Sequence, residues 1–372
     1  MIKRFTVILC LMGCLLLLLF SVPAMEAARE GLRLWYETLL PALFPFFVLS
    51  GLLQRTGLLA MVSRWRLRLP CRIPASAVPV FLISSLSGAP TGARICGLML
   101  DQGALSREEA QRFAAIFNLA SPMFLTGALA NNMLGSPDAA LPLLLGSLAS
   151  ALIVCPLLCG LRPLPSSKRQ KAAAGRPPFS LALELTGALW DGVTAMLRIG
   201  GTVVLFVVLV HLMDATGLMG LICRPFAGLL ARFHLDPQLM RAAITGTLEM
   251  TNGCRELSQL ALPLRLRAAL CSGTVAAGGL CVLMQSMAFL ELKPLEYLTV
   301  KQFQSLIAGG VTYLLFPLFC PSAADASLQW NETLFQRNAT AGLAIVAACL
   351  FAMFVTWFFA QLLQRLKRRL KG

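Results

Sequence analysis

Eight stretches of this 372-residue chain run apolar for about the length that crosses a lipid bilayer, and that repetition limits the fold more than any other feature. A hydrocarbon core of about 30 Å takes roughly 20 helical residues. The runs fall at residues 5–20, 34–53, 113–134, 141–161, 193–213, 268–290, 303–320 and 342–363. With 57% hydrophobic and only 13% charged residues and a mean hydropathy of +0.75, the chain is far from a soluble domain, where about 25% of residues are charged. In lipid a backbone must satisfy its own hydrogen bonds, so the expected fold class is all-α, a polytopic bundle of transmembrane helices.

The net charge of +15 does not point to nucleic acid, because the basic residues sit in short connections between apolar runs. Arg55, Arg64, Arg66, Arg68 and Arg72 form one such group, Arg162, Lys168, Arg169, Lys171 and Arg176 a second, and Arg365, Lys367, Arg368, Arg369 and Lys371 a third. The positive-inside rule places all three in the cytoplasm, with both termini inside. Arg224, Arg232, Arg241, Arg265 and Arg267 would then lie outside, against the rule. Residues 5–20 follow Lys3 and Arg4 and read as an uncleaved signal anchor, while Ser21-Val22-Pro23-Ala24 also fits a cleavage site. Twelve cysteines form no CxxC pair, and His211 and His234 stand too far apart for a histidine metal site. With no nucleotide-binding loop or catalytic triad, no enzyme, cofactor or metal is expected.

Two apolar segments are interrupted in a way that a plain span is not. Residues 77–100 contain Ser84-Ser85-Leu86-Ser87-Gly88-Ala89-Pro90-Thr91-Gly92, and residues 242–262 contain Gly246-Thr247-Leu248-Glu249-Met250-Thr251-Asn252-Gly253. Broken backbone at membrane depth survives only where protein or a wet cavity covers it, so both read as re-entrant hairpins. Between them, Ser106 with Glu109 three residues later is a capping-box start for a helix.

A shift near 160 residues lays Thr56-Gly57-Leu58 on Thr216-Gly217-Leu218, and Thr91-Gly92-Ala93-Arg94 on Asn252-Gly253-Cys254-Arg255. Each unit then has three crossings and a hairpin, an odd count of crossings, so the two units face opposite ways. That is the inverted-repeat plan of secondary transporters, with the site where the broken segments meet. The expected organisation is an anchor span (1–30), a first repeat (31–161), a basic linker (162–185), a second repeat (186–321), and an outer loop, last span and basic tail (322–372).

Glu249 is the acid within the Gly246-to-Gly253 tip of the second broken segment, and an acid at that depth is costly unless paired or functional. It could take a coupling proton or cation, hydrogen-bond a polar solute, or pair with Arg255 or Arg241. Thr251 and Asn252 flank it, and Ser87, Thr91 and Asn118 are the corresponding polar groups of the first half. Ser121-Pro122 breaks the span after Asn118 and frees carbonyls suited to sodium or a neutral ligand. Gln285 lies in a later span and is expected at the interface of the halves. Arg94 and Arg255 end the hairpins and could snorkel or hold an anion; Gly88, Pro90, Gly92, Gly246 and Gly253 supply the hairpin backbone. Asp191 and Arg198, seven apart, are expected to pair. The partners expected are the bilayer and a small solute with a coupling proton or sodium ion, with self-association left open.

Leu40-Pro41-Ala42-Leu43-Phe44-Pro45-Phe46-Phe47, Ser87-Gly88-Ala89-Pro90-Thr91-Gly92-Ala93-Arg94, Phe117-Asn118-Leu119-Ala120-Ser121-Pro122-Met123-Phe124 and the segment around Glu249 resemble the YlbJ-type sporulation integral membrane proteins. That family carries the nucleoside-recognition, or Gate, domain. The resemblance implies a cytoplasmic-membrane protein of spore-forming bacteria linked to spore cortex formation, with a solute carrier as the expected activity and a non-transporting scaffold as the alternative.

Overall fold

Apolar helices satisfy their own backbone and leave their side chains to pack or to meet lipid, and the chain is built from such helices throughout. The computed structural model describes residues 2–56, 76–161, 180–232, 236 and 238–320, which are helical with no strand among them. The three basic clusters beyond Arg55, the outer loop and the last expected span fall outside the described residues.

Helix α1 (Ile2–Leu19) turns through 100° at Phe20. Beyond it, α2 (Ser21–Arg33), a π-helical turn (Leu34–Leu39) and α3 (Leu40–Arg55) run on as one 35-residue element. The sequence places a span at 34–53; the helix starts a dozen residues earlier because Glu30 finds ionic partners inside the bundle. The first interrupted segment is α4 (Ala77–Ser87) and α5 (Thr91–Asp101). Then α6 (Arg107–Phe117) opens on the anticipated capping box, with Ser106 Oγ accepting from Glu109 N at 3.2 Å and Glu109 Oε2 accepting from Ser106 N at 2.8 Å. The chain unwinds at residues 118–121, continues as a π-helical segment (Phe124–Met133), and returns through α7 (Ala140–Leu161).

The same succession recurs. Helix α8 (Leu181–Ala215) is again 35 residues long, α9 (Leu218–Arg232) follows, and the second interrupted segment is α10 (Gln238–Leu248) and α11 (Met250–Gln259). The expected crossing at 268–290 is two pieces, α12 (Leu264–Ala277) and α13 (Gly279–Met287), split at Gly278 in the left-handed region (φ 75°). Helix α14 (Pro294–Phe319) starts nine residues before the expected 303, with Pro294 in its first turn, where the missing N–H costs nothing.

Four helical stretches among the described residues are long and apolar enough to cross a membrane: Pro137–Cys159, Leu181–Ala215, Leu264–Met287 and Pro294–Phe319. The bent pair Cys10–Leu19 and Ser21–Leu39 adds a fifth if it is one span. Their outward faces expose Leu152, Leu157, Leu197, Leu205, Leu314 and Leu318, which in water would be a large apolar liability and in lipid is solvation. The fold is a helical membrane bundle. Helices α2, α3 and α8 pack as one antiparallel layer, α7, α12 and α14 as another, and the interrupted segments lie between them.

Candidate functional site

Each hairpin tip is seated on a break in a neighbouring crossing, and glycine makes both seats. In the first tip Gly88 has φ 78° and ψ 178°, a conformation that L side chains rarely adopt. A Cβ there would lie 2.7 Å from Ser121 N, and a Cβ on Gly92 would lie 3.0 Å from Phe117 O and the Asn118 α-carbon. The tip thus rests on the unwound residues 118–121. In the second tip a Cβ on Gly253 would overlap the Gly246 backbone, so the two arms cross in direct contact. Gly279, at φ 68°, lies against the carbonyls of Gly246, Thr247 and Leu248, with 3.0–3.2 Å left for a Cβ.

Glu249 occupies the turn of the second hairpin in extended conformation (φ −143°, ψ 117°). Its Oε1 accepts from Thr251 N at 2.8 Å and its Oε2 from Asn252 N at 2.7 Å. The carboxylate therefore caps α11, where the helix dipole and two charge-assisted bonds stabilise it at 2% exposure. Neither expected arginine pairs with it: Arg241 binds Asp214 (2.7 Å) and Glu256 (2.8 Å), and Arg255 binds Glu30.

Between the two seated tips lies a cavity of about 40 Å³. Glu249 and Thr251 line it from the second tip, Ala89 from the first, Ser121 and Phe124 from one broken crossing, and Cys281 and Gln285 from the other. Leu43 and Val203 close it from the long helices. A water needs roughly 10–15 Å³ on this measure, so the space takes a few waters or one ion. A few polar groups converging in an apolar wall is the usual make-up of a small-ligand site. Gln285 Nε2 is held by Thr202 Oγ1 at 2.7 Å, and Ser121 Oγ accepts from Phe124 N at 3.2 Å.

Four of the residues singled out from sequence lie off this wall: Ser87, Thr91, Asn118 and Asn252 do not line the cavity. Ser87 is buried in the hairpin and Thr91 N closes its turn on Gly88 O at 2.9 Å. Asn252 contributes its backbone N–H to Glu249. Asn118 instead joins a polar cluster behind the first break, its Nδ2 donating to Ser286 Oγ (2.8 Å) and Tyr297 Oη (2.9 Å). The freed carbonyls there are taken by α14: Lys301 Nζ donates to Asn118 O at 2.7 Å, and Gln304 Nε2 to Ile116 O at 2.7 Å. Lys301, Gln304 and Tyr297 escape a hydropathy reading because they precede or interrupt the most apolar part of their helix.

The hairpin arginines are engaged rather than snorkelling. Arg94 lies 3.6 Å from Asp191, which also binds Arg55 (3.0 Å), and Arg55 binds Glu184 (3.2 Å). The expected Asp191–Arg198 pair does not form; Arg198 sits over the Phe289 ring at 5.7 Å, because Asp191 faces the hairpin instead. Arg255 pairs with Glu30, which His211 approaches at 3.3 Å. One register relates these groups. Gly88 and Glu249, Gly92 and Gly253, Arg94 and Arg255, and Glu30 and Asp191 all stand 161 residues apart. The arginine of each hairpin thus binds the acid displaced by that interval from the acid its counterpart binds. Trp35 Nε1 donates to Met196 O at 3.0 Å, and these two are also 161 apart.

A relative from Bacillus subtilis (strain 168), the sporulation integral membrane protein YlbJ, is 28% identical over 323 residues, covering 79% of this chain and 78% of its own length. The chain is similar to that protein along most of its length. No family model matches it, and no solved structure matches it. The four stretches quoted from the sequence for the family resemblance fall within the described residues, and they lie in α3, the first tip, the first break and the second tip.

Proposed function

We propose that this protein is a solute carrier of the bacterial cytoplasmic membrane that acts in sporulation, built as an inverted repeat. Its site is the cavity at Glu249, and its two ion-pair clusters open alternately. The carrying observation is the exchange of partners: Arg94 with Asp191, and Arg255 with Glu30. Reciprocal contacts of this kind arise where two copies of one unit face each other across a two-fold axis. Along α8, from Asp191 to His211, the clusters lie about 30 Å apart at a rise of roughly 1.5 Å per residue. The cavity lies between the two seated tips. On the positive-inside orientation, the Arg55–Arg94–Asp191 cluster closes the cytoplasmic end and the Glu30–Arg255–His211 cluster the outer end. A solute with hydrogen-bond donors, or a cation or proton, is what a carboxylate flanked by Gln285 and Ser121 recognises.

The test is side-selective labelling of a single cysteine at Gln285 in an otherwise cysteine-free chain. Arg94→Ala is expected to raise labelling from the cytoplasmic side several-fold, and Arg255→Ala from the outer side. Equal responses from both sides would defeat alternating access. Glu249→Gln should abolish the sporulation function in cells without loss of inserted protein. A scaffold would tolerate that change.

A further inference from the structure

Unwinding at residues 118–121 leaves Ile116 O and Asn118 O, at the C-terminal end of α6, without helical partners. Such carbonyls carry the negative end of the helix dipole, and at membrane depth they have to be satisfied. In carriers with broken helices that end is where a sodium ion binds. Here a side chain already occupies it. Lys301 is 1% exposed, its Nζ lies 2.7 Å from Asn118 O and 3.0 Å from Gln304 Oε1, and among the described residues no carboxylate lies within ion-pair distance of it. A buried ammonium without a counter-charge is unfavourable unless fixed dipoles replace its hydration. The dipoles present are the end of α6 and the Gln304 amide, and Gln304 is itself oriented by its bond to Ile116 O.

We propose that this break is a cation site whose resident occupant is the ammonium of Lys301. It has no place for sodium, and shortening the side chain opens it to a small external cation of the alkylammonium class. The residue 161 earlier is Ala140, and the second break has glycine where the first has Asn118, so the device belongs to one half alone. The proposal concerns the break itself and stands whether or not the chain transports.

The full-length protein in lipid nanodiscs is unfolded thermally in choline, sodium or n-propylammonium chloride at one ionic strength. The wild-type midpoint is expected to be the same in n-propylammonium as in choline, and any stabilisation by sodium is expected to vanish in Glu249→Gln, as for an ion held in the cavity. Lys301→Ala removes a propylammonium-sized piece and should lower the midpoint by roughly 5 °C or more in choline, with half or more of the loss recovered saturably by n-propylammonium. Lys301→Met fills the same space without charge and should be lowered with no recovery. Three results would overturn the idea: Lys301→Met as stable as wild type, amine recovery equal in the alanine and methionine variants, or a saturable sodium stabilisation of wild type that persists in Glu249→Gln and vanishes in Lys301→Ala. If Lys301→Ala yields no folded protein, the methionine variant alone decides: lowered stability supports the site, and wild-type stability sinks it.

Discussion

The two breaks face the same physical problem and meet it with different chemistry. Behind residues 118–121 the loose carbonyls are capped by long polar side chains from α14, and Asn118, Ser286 and Tyr297 complete a buried hydrogen-bonded cluster. At Gly279 no such cluster is found among the described residues; the backbone of the crossing lies directly on the carbonyls of the second tip. The tips are complementary to this. The first has no side chain at Gly88 and the second carries Glu249 at the equivalent place, so the charge sits on the half whose break is made of glycine. Both tips also rest on backbone, but a Cβ on Gly253 would come within 2.2 Å of it and one on Gly92 only within 3.0 Å, so at this pair of positions the second half should be the less tolerant.

The sharpest way to break that contrast is a pair of equivalent substitutions. Gly253→Ala drives a methyl into the Gly246 backbone and should cost more than about 4 kcal/mol, seen as loss of monodisperse protein on size exclusion. Gly92→Ala meets its neighbours at 3.0 Å, one of them the Ser84 hydroxyl, and should cost about 1–2 kcal/mol by thermal unfolding. Equal losses would remove the distinction. Next in size, Gly279→Ala combines a positive φ with three close carbonyls and is expected to cost about 1–3 kcal/mol. The smallest effect expected is Arg198→Ala, under about 1 kcal/mol, since it loses only a ring contact; Asp191→Ala, which strips Arg55 and Arg94 of a shared partner, should exceed it in the same assay.

Both interrupted segments are legible in the sequence because clustered glycine, proline and small polar residues would leave a plain lipid-facing span with unsatisfied backbone. The capping box at Ser106 is equally plain, its signal being local. What escapes is set by distant partners. The pairing of Asp191 depends on Arg94 and Arg55, which no spacing within α8 reveals. The early starts of α8 and α14 escape because Glu184, Asp191 and Lys301 depress hydropathy until another helix neutralises or caps them. The cavity wall draws on six separate elements, so Glu249, Thr251, Ser121 and Gln285 can be nominated singly, but their convergence, and the exclusion of Asn118, need three dimensions.

Trp35 and Met196 meet although each is the other's counterpart in the 161-residue register. The indole ring lies against Gly200, whose counterpart is Leu39, so bulk present on one side is missing from the other. The two long helices are locked at that spot: a larger residue at 200 would have to be matched by a smaller one at 35.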